Sequence, residues 1–428
     1  MMLTGRLRVG HQKGLALLIL LALLGITAVV LIVRISASAA DTSAQDRNTA
    51  RALGLAREAL IARAANDPNS PASLPCPDWS NTAPNVANDG VADLFAGSGC
   101  PSYIGRLPWK TLGLPDLRDG YGERLWYALS PNFRDNFPTV AINSDSLGQL
   151  SVTGLTPTNN VVAIVFSPGP AIGTQQRDPN TAFENDPANY LEGSNATPSP
   201  QASPNFNYVA LQPNGTFNDR LLTITPDMLF PEVERRVARE ARKCLAAFSQ
   251  QVGANNRFPW AAPLTDLTFA DLPNTHSGRI PKTLVNTQTS LGGAPVTWVD
   301  PTPALSKPCF GVGTWWDNWR ELLFYQVSQA YEPSTGFTGV CPAACLTVNA
   351  VSSVKVVVIV AGHAFGANPD QSTRPGNKMI ASNYLEISGS VDNSLMNGIY
   401  AKAPVMLAPA VHFNDRVECL QESGAWPC

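Results

Sequence analysis

Gly105-Arg106-Leu107-Pro108, followed by Lys110-Thr111-Leu112, returns further along the chain as Gly278-Arg279-Ile280-Pro281, followed by Lys282-Thr283-Leu284. One such echo is weak on its own, but four more follow in the same order. Glu123 with Leu125-Trp126-Tyr127 and Ser130 recurs as Glu321 with Leu323-Phe324-Tyr325 and Ser328. The apolar run Val161 to Phe166, leading to Gly169-Pro170-Ala171-Ile172-Gly173, recurs as Val356 to Val360, leading to Gly362-His363-Ala364-Phe365-Gly366. Asn189-Tyr190-Leu191-Glu192 matches Asn383-Tyr384-Leu385-Glu386, and Phe217-Asn218-Asp219-Arg220 matches Phe413-Asn414-Asp415-Arg416. Ordered self-similarity of this kind is an internal duplication. The Gly-Arg-x-Pro offset is shorter than the later ones, which places an insertion in the second copy between Thr283 and Glu321.

Each copy also begins alike. Ala56-Arg57 before Leu60 corresponds to Ala241-Arg242 before Leu245, and both stretches lead into a proline turn, Leu74-Pro75 or Phe258-Pro259. Val233, Val237, Ala241, Cys244, Phe248 and Val252 recur at three- and four-residue steps, whereas Glu234, Arg235, Arg239 and Lys243 avoid that stripe, so a helix packed on a sheet is predicted. Pro231 is expected in its first turn, where a missing N–H costs nothing. Strand candidates follow: Arg124 to Leu129, Leu322 to Val327, and the β-branched runs Val161 to Phe166 and Lys355 to Val360. A long helix followed by several strands, twice over, is an α+β pattern, with a junction near Thr225-Pro226. The Asn-, Pro- and Ser-rich segment 173–215 reads as a long exposed excursion.

The N-terminus adds a second kind of information. Arg6, Arg8, His11 and Lys13 precede an unbroken apolar run from Leu15 to Val33, and Arg34 follows. About 19 apolar residues at roughly 1.5 Å each just span a bilayer core, and the charge bias keeps the leader in the cytoplasm. The expectation is a single-pass inner-membrane protein with its remaining domains in the periplasm. Ser36-Ala37-Ser38-Ala39-Ala40 could alternatively end a secretory signal, giving a start at Asp41. The Lys13-Gly14 junction with Leu15-Ala16-Leu17-Leu18 resembles the leaders of type IV prepilins and type II secretion pseudopilins. That resemblance implies cleavage between Gly14 and Leu15 by a prepilin peptidase. Leu15 and Ile19 stand where such proteins usually carry phenylalanine and glutamate, which is similar to the minor pseudopilin that caps the filament. The resemblance thus implies two pilin-like modules, each a helix with an antiparallel sheet, on one anchor: a leader over 1–14, a transmembrane half-helix over 15–34, a first module over 35–224 and a second over 225–428. It further implies other pilin or pseudopilin subunits as partners, a tip or initiation role, and possible display at the cell surface. The alternative expectation is an unprocessed, signal-anchored periplasmic scaffold or adhesin.

Composition and motifs narrow the chemistry. A net charge of -3 with 15% charged residues gives no basic footprint for nucleic acid. All eight cysteines lie beyond the apolar run, which in an oxidising compartment means up to four disulfides. Cys76 with Cys100, and Cys419 with Cys428, are the expected pairs; the pairing of Cys244, Cys309, Cys341 and Cys345 stays open, with a metal site as the rival reading of the last two. Asn85 to Asp93 resembles an oxygen-rich calcium loop, with Asn88, Asp89 and Asp93 as candidate ligands, against an Asx turn closed by a disulfide. No other cofactor is expected. The sequence contains no GxSxG elbow, P-loop or HExxH, and its histidines are isolated from one another, so no enzyme is expected, although His363 follows a strand where a base could sit. Trp315-Trp316-Asp317-Asn318-Trp319 reads as core packing or as a partner surface. The repeated Phe-Asn-Asp-Arg reads as an Asp-Arg pair fixing a loop.

Overall fold

A computed structural model describes residues 13–79, 89–94, 99–135, 141–177, 185–301, 308–311, 313–334, 339–341, 345–366, 371–408 and 411–424, and between 13 and 40 only Leu24 and Thr27 are described beyond the backbone. Helix α1 (Lys13–Asn66) buries Ala52, Leu53, Ala56, Leu60 and Ala64, the one-sided spacing of a packed helix. Asp67 stops it by accepting the N–H groups of Asn69 and Ser70. Helix α2 (Pro226–Ser249) buries Val233, Val237, Ala241, Cys244 and Phe248. It begins earlier than expected, so Pro231 lies inside it, and it ends before Val252, which is exposed. The helices pack on each other, and Arg236 Nη1 donates to the carbonyls of Ala65 and Asp67 at 3.0 and 2.6 Å. A cation there satisfies carbonyls that a helix end leaves unpaired.

In the first copy β1 (Ile104–Arg106), β2 (Trp126–Leu129), β5 (Ala163–Ser167) and β7 (Arg220–Ile224) form one antiparallel sheet in that order. Between them β3 (Leu150–Gly154) pairs with β4 (Thr158–Val161) antiparallel and with β6 (Asn207–Ala210) parallel. The second copy repeats the path: β8 (Ser277–Arg279), β9 (Leu323–Val327), β11 (Val351–Val360) and, beyond two short hairpins, β17 (Arg416–Gln421). Here β10 (Leu346–Val348) pairs antiparallel with β11 and parallel with β14 (Ile399–Tyr400), as β3 does with β4 and β6, but joins the main sheet. The hairpins are β12 (Ile387–Ser388) with β13 (Val391–Asp392), and β15 (Met406–Ala408) with β16 (Val411–Phe413). The insertion carries α3 (Val285–Ser290) and α4 (Trp316–Trp319).

The repeated Gly-Arg-x-Pro has a steric origin. Arg106 exchanges both backbone hydrogen bonds with Asp78, and Arg279 does so with Ala262. A Cβ on Gly105 would come within 2.7 Å of the Asp78 carbonyl oxygen, and on Gly278 within 2.0 Å of that of Ala262. The arginines then lie over aromatic rings, Arg106 over Trp126 and Tyr190 and Arg279 over Phe324 and Tyr384. Tyr127 and Tyr325 donate to the carbonyls of Pro75 and Pro259, the two proline turns.

Two sets of expectations are corrected. The pilin-like description, one helix plus one antiparallel sheet per module, fails because the fold is a mixed arrangement of several sheets with parallel pairs. The physical reason lies in the strands: alternate residues of β2 and β5 face the helices, while Trp126, Ala128, Ile164 and Phe166 pack under Tyr190, Leu191 and Tyr208 of the 173–215 segment. A sheet buried on both faces needs continuous apolar strands, and that segment is a covering layer rather than an exposed excursion. Second, the transmembrane half-helix and the inner-membrane location are not supported, because among the described residues no helix is long and apolar enough to cross a membrane. From residue 41 onward α1 carries Asp41, Asp46, Arg47, Arg51, Arg57, Glu58 and Arg63, charges that a bilayer core would not accept. The tryptophan cluster follows the core-packing reading: Trp315, Trp316 and Trp319 are buried, and Phe230 of α2 links Trp319 to Phe133 of the first copy.

Candidate functional site: a duplicated carboxyl clamp

The repeated Asn-Tyr-Leu-Glu and Phe-Asn-Asp-Arg motifs meet in space, once in each copy. In the first, Glu192 donates its backbone N–H to Asp219 Oδ2 at 2.9 Å, while Glu192 Oε2 accepts the N–H groups of Asn218 at 2.9 Å and Asp219 at 3.2 Å. Asn195 Nδ2 adds a bond to Asp219 Oδ2, and Gln175 Nε2 donates to Glu192 Oε1. In the second, Glu386 donates to Asp415 Oδ2 at 3.1 Å, and Glu386 Oε2 accepts Asn414 N–H at 3.1 Å. Asn393 Nδ2 bonds Asp415 Oδ2, and Gln371 Nε2 bonds Glu386 Oε1. Asn218 and Asn414 reach from the same step to the carbonyls of Pro170 and His363, in the turn after the central strand. Each clamp therefore bolts the covering segment, the last strand and that turn together.

An arginine closes each clamp. Arg177 reaches the carbonyls of Gly169, Asn189 and Tyr190 and the side chain of Gln175. Arg374 reaches those of Gly362, Asn383 and Tyr384 and the side chain of Gln371. These arginines and glutamines stand two residues apart in one copy and three in the other, which hides their equivalence in the sequence. The expected Asp-Arg pairing within Phe-Asn-Asp-Arg does not form: Arg220 pairs with Asp46 at 2.7 Å and Arg416 approaches Glu234 at 3.7 Å. The motif's aspartates face glutamates instead. Burial, reinforced by the charge of Glu192, pushes the Asp219 carboxyl well above its ordinary range; burial and Glu386 do the same to Asp415.

The second clamp is tied to the first copy. Asp145 Oδ1 accepts from Arg374 Nη1 at 2.6 Å and from the Ala364 N–H at 3.3 Å, and the Ser144 carbonyl lies 3.0 Å from His363 Nδ1. Ser144 Oγ donates to Glu234 Oε1 at 2.8 Å. Glu234 is fully enclosed, and burial with the nearby charge of Glu386 pushes its carboxyl up to about 7. In the first copy Glu123 approaches the clamp arginine Arg177 at 3.3 Å, while Asp119 holds the turn by accepting Ser167 Oγ and Gly169 N–H. A cleft of about 230 Å³ lies beside the first clamp, between Thr49, Tyr121, Asn214, Asn218 and Arg220.

Of the calcium candidates, Asn88 lies outside the described residues. Asp89 is gripped by Arg124 through both carboxylate oxygens, at 2.7 and 2.6 Å, and Asp93 accepts the Trp79 N–H. Asp78, with its carboxyl pushed up to about 7 by burial and by Asp93 and Asp89, accepts the Gly90 N–H beside them. Ion pairing thus uses the oxygens that a cation would need, and among the described residues no group of three or more His, Cys, Asp or Glu is placed to hold a metal. Disulfides join Cys76 to Cys100, Cys244 to Cys309 and Cys341 to Cys345. Cys419 is also disulfide-bonded, and Cys428 lies outside the described residues. Gly14 and Leu15 lie in α1, where only the backbone is described. His276 pairs with Glu332 at 2.5 Å and His412 stacks near Phe365.

Comparison with protein-family models, with curated proteins and with solved structures finds no match to this chain.

Proposed function

We propose that the chain is a non-catalytic structural subunit that joins a filament or secretion-type assembly through its N-terminal helix and presents the duplicated head at a terminal position. The observation that carries this reading is the shape of α1. It is one helix of 54 residues, yet among its described side chains the buried ones begin at Thr49, and Leu24 and Thr27 are exposed. The 36 residues from Lys13 to Asn48 amount to a stem of roughly 54 Å at 1.5 Å per residue. A helix with Leu24 and Thr27 exposed, whose sequence over 15–33 is apolar but for Thr27, is suited to burial among the helices of other subunits. The resemblance at Lys13-Gly14-Leu15 adds a leader peptidase that cuts between Gly14 and Leu15.

The test is a photo-cross-linking residue at Leu24 in the full chain, read with N-terminal mass analysis. The reading expects a mature start at Leu15 and a cross-link to the apolar helix of another subunit. An intact Met1 with no protein partner at Leu24 overturns it.

A further inference from the structure

The two clamps share a feature that their hydrogen bonds leave unexplained. Asp219 Oδ1 and Asp415 Oδ1 are buried and have no hydrogen-bond partner, in equivalent positions of two independently repeated sites. A buried acceptor without a donor is costly, and two carboxylates held together without water repel each other. The backbone grip is reciprocal, since Glu192 and Asp219 each accept the other's N–H, so the two side chains cannot turn away from one another. One proton removes both costs, because a protonated carboxyl donates where an ionised one cannot.

We propose that each copy binds one proton between its paired carboxyls, Glu192 with Asp219 and Glu386 with Asp415, and that these bound protons make the head firmest in mild acid. The charged groups around the first pair are Arg177, reached through Gln175, Asp119 on the same turn, and Arg220, which is engaged with Asp46. Around the second are Arg374 with Asp145, Arg416 with Glu234, and His363 in the clamped turn. Burial raises the aspartates of both pairs, and Glu386 as well. The sign follows: the folded state holds a proton that the unfolded aspartate releases near its ordinary value of about 4, so stability is full below that pH and falls as pH rises above it. Each proton changes the folding equilibrium constant tenfold per pH unit until the pair itself titrates. The inference stands independently of the filament reading.

The experiment compares urea denaturation of the full chain with Asp219→Asn, Asp415→Asn and the double variant between pH 4.5 and 8. Asparagine keeps the shape and supplies a permanent donor toward the glutamate. Glu234 and Asp78 contribute slope of the same sign in every variant, so the difference from wild type is the quantity read. Each single variant should remove a tenfold change per pH unit, and the double variant a hundredfold one. Unchanged slopes overturn the proposal. Infrared spectra at pH 8, where Glu234 and Asp78 are mostly ionised, give a second reading: a protonated-carboxyl band in wild type that the double variant loses supports shared protons, and its absence from wild type refutes them. Stabilisation of wild type by added calcium, lost in the double variant, would show a metal ion at the clamp and equally overturn the proposal.

Discussion

Asp145, in the first half of the chain, accepts a 2.6 Å hydrogen bond from the guanidinium of Arg374, which is buried in the second half 229 positions away. The pair joins the two copies through side chains at the turn of the second clamp. Arg374 is 1% exposed and Asp145 34%, so the interaction combines a desolvated cation with a partly hydrated anion.

Asp145→Ala should leave the buried guanidinium short of its anion while its carbonyl partners remain. Solvent reaches the aspartate side, which discounts the loss to about 2 kcal/mol. Urea denaturation measures it, and a double-mutant cycle with Arg374 variants should place the coupling in this pair.

Glu234→Gln should flatten part of the pH dependence of stability. The folded-state carboxyl, at about 7, sits above its ordinary value of 4.5, so its contribution is full below 4.5 and is lost as pH rises through 7. The share of the wild-type loss over that window due to Glu234 is on the order of 3 kcal/mol, and the glutamine variant should lack that share. Denaturation midpoints at pH 5 and pH 8 provide the comparison.

Gly278→Ala should destabilise more than Gly105→Ala, although both glycines occupy the same motif position. The added Cβ would lie 2.0 Å from the Ala262 carbonyl oxygen in one case and 2.7 Å from that of Asp78 in the other. Neither obstacle is a flexible side-chain end. We expect a cost of about 3 kcal/mol or more at Gly278 and less at Gly105, read from thermal or urea midpoints.

The disulfides should open in a set order. Cys76, Cys100, Cys244 and Cys309 are buried, whereas Cys341 and Cys345 are only partly covered. Mild reduction followed by alkylation and mass mapping should label Cys341 and Cys345 before those four. Replacing Cys244 and Cys309 by alanine removes a 65-residue closure and should cost about 4 kcal/mol; the four-residue separation of Cys341 and Cys345 should be worth about 2 kcal/mol.

Local pattern carried much of this molecule. Helical periodicity placed α2 near its observed span, β-branched and aromatic runs placed β2, β5, β9 and β11, and five ordered echoes exposed a duplication whose strand paths repeat. These are properties of chain stretches short enough for periodicity and turn chemistry to act within them. The same locality explains the errors. An apolar leader with a basic flank suggested a membrane span that the described helices do not bear out, and it says nothing of how the later strands are covered. Polar composition over 173–215 suggested an exposed loop, because a few buried residues, Tyr190, Leu191 and Tyr208, decide the packing of a long polar segment.

What the sequence by itself determined is the repeat: which residue types return, in what order, and the helix and strand periods they impose. What only the tertiary structure decided is their partners. Asp219 meets Glu192 rather than the neighbouring Arg220, Arg374 finds its anion in the other copy, and Asp89 is consumed by Arg124. Such pairings join positions tens to hundreds of residues apart, and burial then sets their strength and protonation, a quantity that exists only once the sheets and their covering layers exclude water.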